Sequence, residues 1–110
     1  MSLQEFIHML SVRPLMYMRE KKLEYLEYLL LGFSIARCHN GMGSDMDINF
    51  FSYFCSWLQN WIVEKVDEKY NRNTFYWYEM IYDISENEEK AFELFFILCR
   101  QFFKENYDAH

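Results

Sequence analysis

Asp45, Asp47 and Asn49 follow one another at the alternate spacing that opens a calcium-binding loop. The pattern fails at the positions that matter most. The sixth would be Phe50 where the loop needs glycine, and the twelfth Ser56 where it needs a bidentate acid. These residues are expected instead to prepare a helix N-terminus, where carboxylates oppose the dipole favourably. Cys38, His39, Cys55, Cys99, His8 and His110 could supply soft ligands or a thiol nucleophile, but no zinc-type pairing of C-x₂₋₄-C with H-x₃₋₅-H is present. Adjacent Cys38 and His39 point to different helical faces. A Cys–His pair assembled only by the fold stays open, although Cys55 lies in the least polar segment, where burial raises a thiol's pKa. Gly41-Met42-Gly43-Ser44 lacks the glycine spacing and the lysine of a phosphate loop. Glu79 and Asp83, four apart, would act as an acid–base pair only if desolvated together in a cleft. The expectation is a non-enzyme that uses no cofactor and no metal.

Recognition is the better-supported chemistry. Between Tyr76 and Asp83 large aromatics alternate with acids, and from Glu79 to Glu93 six acids face one base, Lys90. Trp77 and Ile81 share a face and are assigned to the core. Tyr78, Glu79, Tyr82, Asp83 and Glu86 should lie towards the other side and form the candidate partner-binding set. Tyrosines give rigid contact area, and carboxylates steer a basic partner. Glu86, Glu88 and Glu89 also fit a second role, as acids complementing a helix N-terminus.

Five helices of unequal length must position these residues. Ser2-Leu3-Gln4-Glu5 is a capping box opening a short helix to about Ser11, with Phe6, Ile7 and Leu10 inward. Pro14 stops it, and Met16, Tyr17 and Met18 are expected to tuck against the core. Leu23 to about His39 is the second helix, with Leu23, Leu26, Leu30 and Phe33 on one stripe that Tyr25, Leu29 and Ala36 widen. It exits through Asn40-Gly41-Met42-Gly43. From Asn49 to Ile62 the chain is uncharged, and six of its fourteen residues are aromatic. Phe50, Phe51, Phe54, Cys55, Trp57, Leu58, Trp61 and Ile62 cover more than one face. A helix of that kind belongs in an interior, so the segment of about 50–66 is the expected central rod. Its end, V-E-K-V-D-E-K-Y, should project into water. Asn71-Arg72-Asn73 breaks the pattern, and Thr74 can cap a fourth helix through about Ile84. Ser85-Glu86-Asn87-Glu88 reads as a second capping box before a helix carrying Phe92, Phe95, Phe96, Cys99, Phe102 and Phe103 at three- and four-residue spacing.

The bulk properties agree. At 110 residues, 52% hydrophobic and 21% aromatic, the chain is one ordered domain. One proline and three glycines are too few for the turns of an all-β fold. The net charge is −6, concentrated in the second half, where eleven acids meet six bases, against six and five in the first. That balance disfavours nucleic acid and anionic membranes and suits a basic protein; it also keeps an aromatic-rich chain soluble. The N-terminal M-S-L-Q-E-F has no secretory pattern. The longest uncharged apolar run, Tyr28 to Ala36, is too short for a bilayer span of about 20 residues. The cysteines are expected to be buried thiols in a reducing cytoplasm.

Five fragments in order carry a resemblance: R-P-L-M-Y-M at Arg13–Met18, Y-L-L-L-G-F-S-I-A at Tyr28–Ala36, F-x-x-F-x-x-W-L at Phe51–Leu58, W-x-x-x-I at Trp77–Ile81 and E-x-A-F-x-L-F-F-x-L at Glu89–Leu98. Together they resemble small all-helical immunity proteins of bacterial polymorphic-toxin and contact-dependent growth-inhibition systems. The likeness spans roughly Leu3 to Lys104. It departs at Leu15, where related sequences tend to carry glycine. The resemblance implies a cytoplasmic protein that binds and neutralises a cognate toxin domain, commonly a nuclease, as a monomer or weak homodimer. It brings no catalytic residues. Arg13, Tyr17, Gly32, Trp57 and Trp77 match its recurring positions, and a close helix crossing is the expected reason for Gly32. Two other classes fit the same residues: a helical adaptor or homodimerising protein, and a small-molecule-binding helical domain.

Overall fold

Ser2 opens the first helix by the expected box: its hydroxyl accepts from the Glu5 amide at 3.1 Å, and the Glu5 carboxylate accepts from the Ser2 amide at 3.2 Å. The computed structural model describes residues 1–41, 43–72, 74 and 76–108, backbone alone at 107 and 108. Its elements are α1 (Leu3–Val12), a 3₁₀ turn at Pro14–Met16, α2 (Leu23–His39), α3 (Asp45–Lys65), α4 (Trp77–Asp83), α5 (Glu88–Phe103) and a closing π-helical turn, Lys104–Asp108. No strand occurs among the described residues. Met42, Asn73 and His110, named above in the exit turn, the break and the possible ligand set, lie outside them. The protein is an all-α bundle.

Its core follows from two patterns. On α3, Phe50, Phe54, Leu58 and Ile62 recur every fourth residue and are fully buried, while Phe51, Cys55, Trp57 and Trp61 flank them half-buried. On α5, Phe92, Phe95, Phe96, Cys99, Phe102 and Phe103 are all buried. The two stripes interlock. Phe54 stacks on Phe50 at 5.1 Å and meets Phe95 and Phe102 edge-on at 5.9 and 5.5 Å. Each such pair contributes about 0.5–1.5 kcal/mol beyond burial. Trp77 of α4 closes the cluster, 4.6 Å from Phe95. The rod is therefore shared between α3 and α5. The outer line of α3 is open, with Tyr53 exposed beside Ser52, Ser56 and Asn60.

Several local expectations are corrected. The third helix begins at Asp45, five residues early, and bends at Asn49 (φ −108°, ψ 15°), where the apolar segment starts. Met16 and Tyr17 face solvent and only Met18 is buried, because the 3₁₀ turn rotates two of the three outward. The fourth helix starts at Trp77; Thr74 instead accepts from the Tyr76 amide at 3.0 Å. Asn87 caps α5, accepting from the Lys90 amide at 2.8 Å, while the Ser85 hydroxyl donates back to the Ile81 carbonyl at 2.7 Å. Ala36 is exposed, and Ser34 takes the buried place at the end of the α2 stripe. Cys38 is exposed as well, since the last turn of α2 carries it past the core. Gly32 makes no close crossing: a Cβ there would meet nothing within 4 Å. The other glycines have local reasons. Gly41 adopts φ +63°, which ends α2 without a Cβ penalty, and a Cβ on Gly43 would press on Ile48 and Arg37 at 3.2 and 3.3 Å.

One polar knot fastens three helix ends. Asp47 is 3% exposed and accepts from the Leu3 amide at 2.9 Å, the Ser44 amide at 3.3 Å and the Arg37 guanidinium at 3.1 Å. The starts of α1 and α3 and the last turn of α2 thus meet on one carboxylate. Burial pushes its pKa up, but those three donors outweigh burial and hold it below the usual aspartate value.

Candidate partner-binding face

Helix α4 has seven residues, and burial of Trp77, Met80 and Ile81 turns Tyr78, Glu79, Tyr82 and Asp83 outward or to the flanks. Glu79 and Asp83 lie one turn apart, as their spacing requires. Both grip Arg72 from the preceding loop: its guanidinium donates to Glu79 at 2.7 and 3.1 Å and pairs with Asp83 at 3.2 Å. The Thr74 hydroxyl donates to Glu79 at 3.3 Å, and the Tyr70 phenol donates to Asp83 at 2.7 Å. The acids thereby clamp the loop onto α4, and one guanidinium offsets part of their charge. The hydrogen bond to Glu79 in turn raises the Arg72 pKa. Burial, then the bond to Asp83, raises that of Tyr70. Arg72 and Tyr70 had no place in the sequence-derived set. An i, i+4 acid pair near a lone arginine was the available signal.

The remaining members stand differently. Tyr78 is half-buried, edge-on to Trp77 at 5.9 Å and tilted against Tyr76 at 5.6 Å. The exposed Tyr82 donates its phenol to Glu88 at 3.0 Å. Glu86 is exposed in the turn before α5 and borders a shallow groove of about 360 Å³ with Ile84, Leu94 and Ile97. Helix α2 adds residues that sequence reasoning had not joined to this face. Burial, then the charge of Glu27, raises the pKa of Tyr78, and burial, the bond to Glu88 and the charges of Glu88 and Glu24 raise that of Tyr82. Burial, then the neighbouring Glu24, raises the pKa of Glu27. Neither Glu24 nor Glu27 forms an ion pair among the described residues. The surface across α2, α4 and the turn to α5 therefore combines four tyrosines, Tyr28, Tyr76, Tyr78 and Tyr82, with Glu24, Glu27 and Glu86, which are in no ion pair among the described residues.

The residues that could carry other chemistry lie elsewhere. Burial raises the thiol of Cys55 to a pKa of about 11, and complete burial raises that of Cys99. Asp45 accepts from Asn49 at 2.8 Å and Tyr53 at 2.7 Å, and Asp47 is committed to the polar knot. Among the described residues no three His, Cys, Asp or Glu side chains gather as a metal site, and no helix is long and apolar enough to cross a membrane. A groove of about 890 Å³ runs between α1 and α5 over Ile7, Phe96, Cys99 and Phe103, with His8 and Arg100 at its edge. Arg13 is exposed and pairs with no carboxylate among the described residues, and Tyr17, 38% exposed, fills no core gap. Trp57 stacks on Phe54 and Trp61 and reaches Glu105 through its indole N–H at 3.4 Å. No protein-family model, no curated protein and no solved structure matches this chain.

Proposed function

We propose that this protein is an immunity protein of the cytoplasm, which binds a cognate bacterial toxin domain and blocks it with the tyrosine- and carboxylate-bearing face across α2 and α4. One observation carries the reading: four tyrosines share a surface with Glu24, Glu27 and Glu86, none of which is ion-paired among the described residues, on a chain of net charge −6. Phenols supply contact area at small entropic cost, and the acids draw in a basic surface such as a nuclease presents to phosphates. Of the residues named from sequence, Tyr78, Tyr82 and Glu86 would touch the partner. Glu79 and Asp83 would hold the loop that borders the contact.

The test starts from a neighbouring gene. A large secreted protein encoded immediately upstream, with a variable C-terminal domain, supplies that domain as the probe. Co-expression should rescue growth from it, and the two purified proteins should form a stable complex. Reversing Glu24 and Glu86 to lysine, which leaves the Arg72 clamp intact, should slow association severalfold at low salt and less at high salt. Failure of the unmodified protein to protect or to bind would end the proposal. Protection with unchanged association for the double variant would move the contact to another face.

A further inference from the structure

The groove between α1 and α5 is a slot that the packing of the bundle does not close. Its volume of about 890 Å³ falls inside the range of roughly 300–1,000 Å³ at which small-molecule sites occur. The floor and walls are apolar, built from Ile7 of α1 and Phe96, Cys99 and Phe103 of α5. Each of these side chains is packed on its other sides and between 1% and 7% exposed. The opening is therefore narrow. A docked helix, about 10 Å across, would need those side chains laid open, whereas a hydrocarbon chain one methylene wide can run between them. The rim has the opposite character. Arg100 in the last turn of α5 and Lys104 at its C-cap stand one helical turn apart, and neither forms an ion pair among the described residues. His8 borders the slot from α1 and adds an imidazole N–H. Glu5 borders it too, but its carboxylate is engaged by the Ser2 amide at 3.2 Å. On a chain of net charge −6, two unpaired cations beside an apolar slot reverse the protein's average surface. Cations near a helix C-terminus complement its dipole, which gives their charge a local reason but gives none for the apolar slot beside them.

We propose that this slot binds a single-chain anionic amphiphile, a fatty carboxylate, with its head on Arg100 and Lys104 and its chain along Ile7, Phe96 and Phe103. A guanidinium matches a carboxylate through two parallel N–H···O bonds, and Lys104 adds a compact point charge. Each methylene taken out of water raises affinity about threefold. An alkylammonium of the same length would bury the same chain but meet like charge at the rim. An anionic bilayer surface is a poorer fit, because its headgroups repel a protein of net charge −6 and its chains already lie out of water. None of the lining residues belongs to the face across α2 and α4, so the site stands apart from the immunity reading.

Isothermal titration of the full chain with sodium dodecanoate, kept below its micelle concentration, should show saturable binding of one chain per protein, with a dissociation constant on the order of 10–100 µM. Octanoate, four methylenes shorter, should bind at least about tenfold more weakly. Dodecyltrimethylammonium should also bind at least about tenfold more weakly, through its opposite charge. Arg100→Gln combined with Lys104→Gln should bring the two dodecyl compounds within about threefold of each other, while circular dichroism shows the variant folded. Amide resonances shifted by dodecanoate should concentrate in residues 4–11 and 96–104. The proposal is overturned if no saturable binding appears up to about 1 mM, if the native protein takes both head groups equally, if the double variant keeps its preference, or if the shifts fall on another face. Flotation with phosphatidylglycerol vesicles separates a free chain from a membrane source: capture on vesicles without binding of free dodecanoate overturns the proposal too. These measurements involve no toxin domain and leave the immunity reading to its own test.

Discussion

Replacing Asp47 by asparagine removes one charge and rearranges three hydrogen bonds, and the structure indicates how much that costs. One carboxylate oxygen accepts from the Leu3 amide; the other accepts from both Arg37 and the Ser44 amide. An amide in the same pose keeps its oxygen for Leu3 and turns an NH₂ group towards two donors. Hydrogen bonds to a charged group contribute about 1.5–3 kcal/mol each, and an orphaned buried donor costs a similar amount. Arg37 keeps 20% of its side chain exposed, so water can recover part of that loss. Asp47→Asn should therefore cost about 2–3 kcal/mol, and Asp47→Ala about 3–4 kcal/mol, out of the roughly 5–15 kcal/mol typical of a domain. Thermal unfolding at pH 7 should fall by about 10–15 °C for the asparagine variant. Because the aspartate pKa is lower in the folded state, its contribution is complete above the ordinary carboxylate range and fades as pH falls through the folded value. The gap between the native protein and Asp47→Asn should accordingly narrow below about pH 4. Urea unfolding of both proteins from pH 7 to pH 3 measures it. A cost under about 0.5 kcal/mol at pH 7, or a gap that stays constant with pH, would refute the reasoning.

Gly32→Ala should raise stability by about 0.5–1 kcal/mol in urea unfolding, because the new methyl enters open space on a helix. Phe54→Ala removes a ring that touches five other aromatics and should cost about 3–5 kcal/mol, lowering the urea midpoint sharply or abolishing folding. Arg72→Met should leave global stability within about 1 kcal/mol, since the clamp is partly exposed, while amide exchange across residues 66–76 accelerates. A thiol reagent at pH 8 should label Cys38 rapidly, Cys55 far more slowly, and Cys99 only on unfolding; fast labelling of Cys99 would contradict its burial.

The legible features were those set by neighbours in the chain. The box at Ser2 and Glu5, the limits of α2 and the α5 phenylalanine stripe depend on contacts three or four residues apart, and they appear as expected. All eight apolar positions assigned inward on the segment 50–62 are buried or half-buried for the same reason. Misreadings arose where two local solutions compete. Ser85 and Asn87 can each cap a helix, and the backbone after Ile84 decides for Asn87. Glu79 and Asp83 read as free acids, because the guanidinium that engages them comes from a loop whose path no periodicity describes.

Helical periodicity and the aromatic content of the middle and last segments alone determined an all-α bundle, because burying an apolar stripe dominates folding and its period is written along the chain. Which charges are engaged inside the protein was a matter of tertiary structure. An ion pair forms between groups brought within about 4 Å, and it is packing that carried Arg37 to Asp47 and Arg72 to Glu79. That Gly32 serves no helix crossing inside the protein likewise became visible only in the tertiary structure.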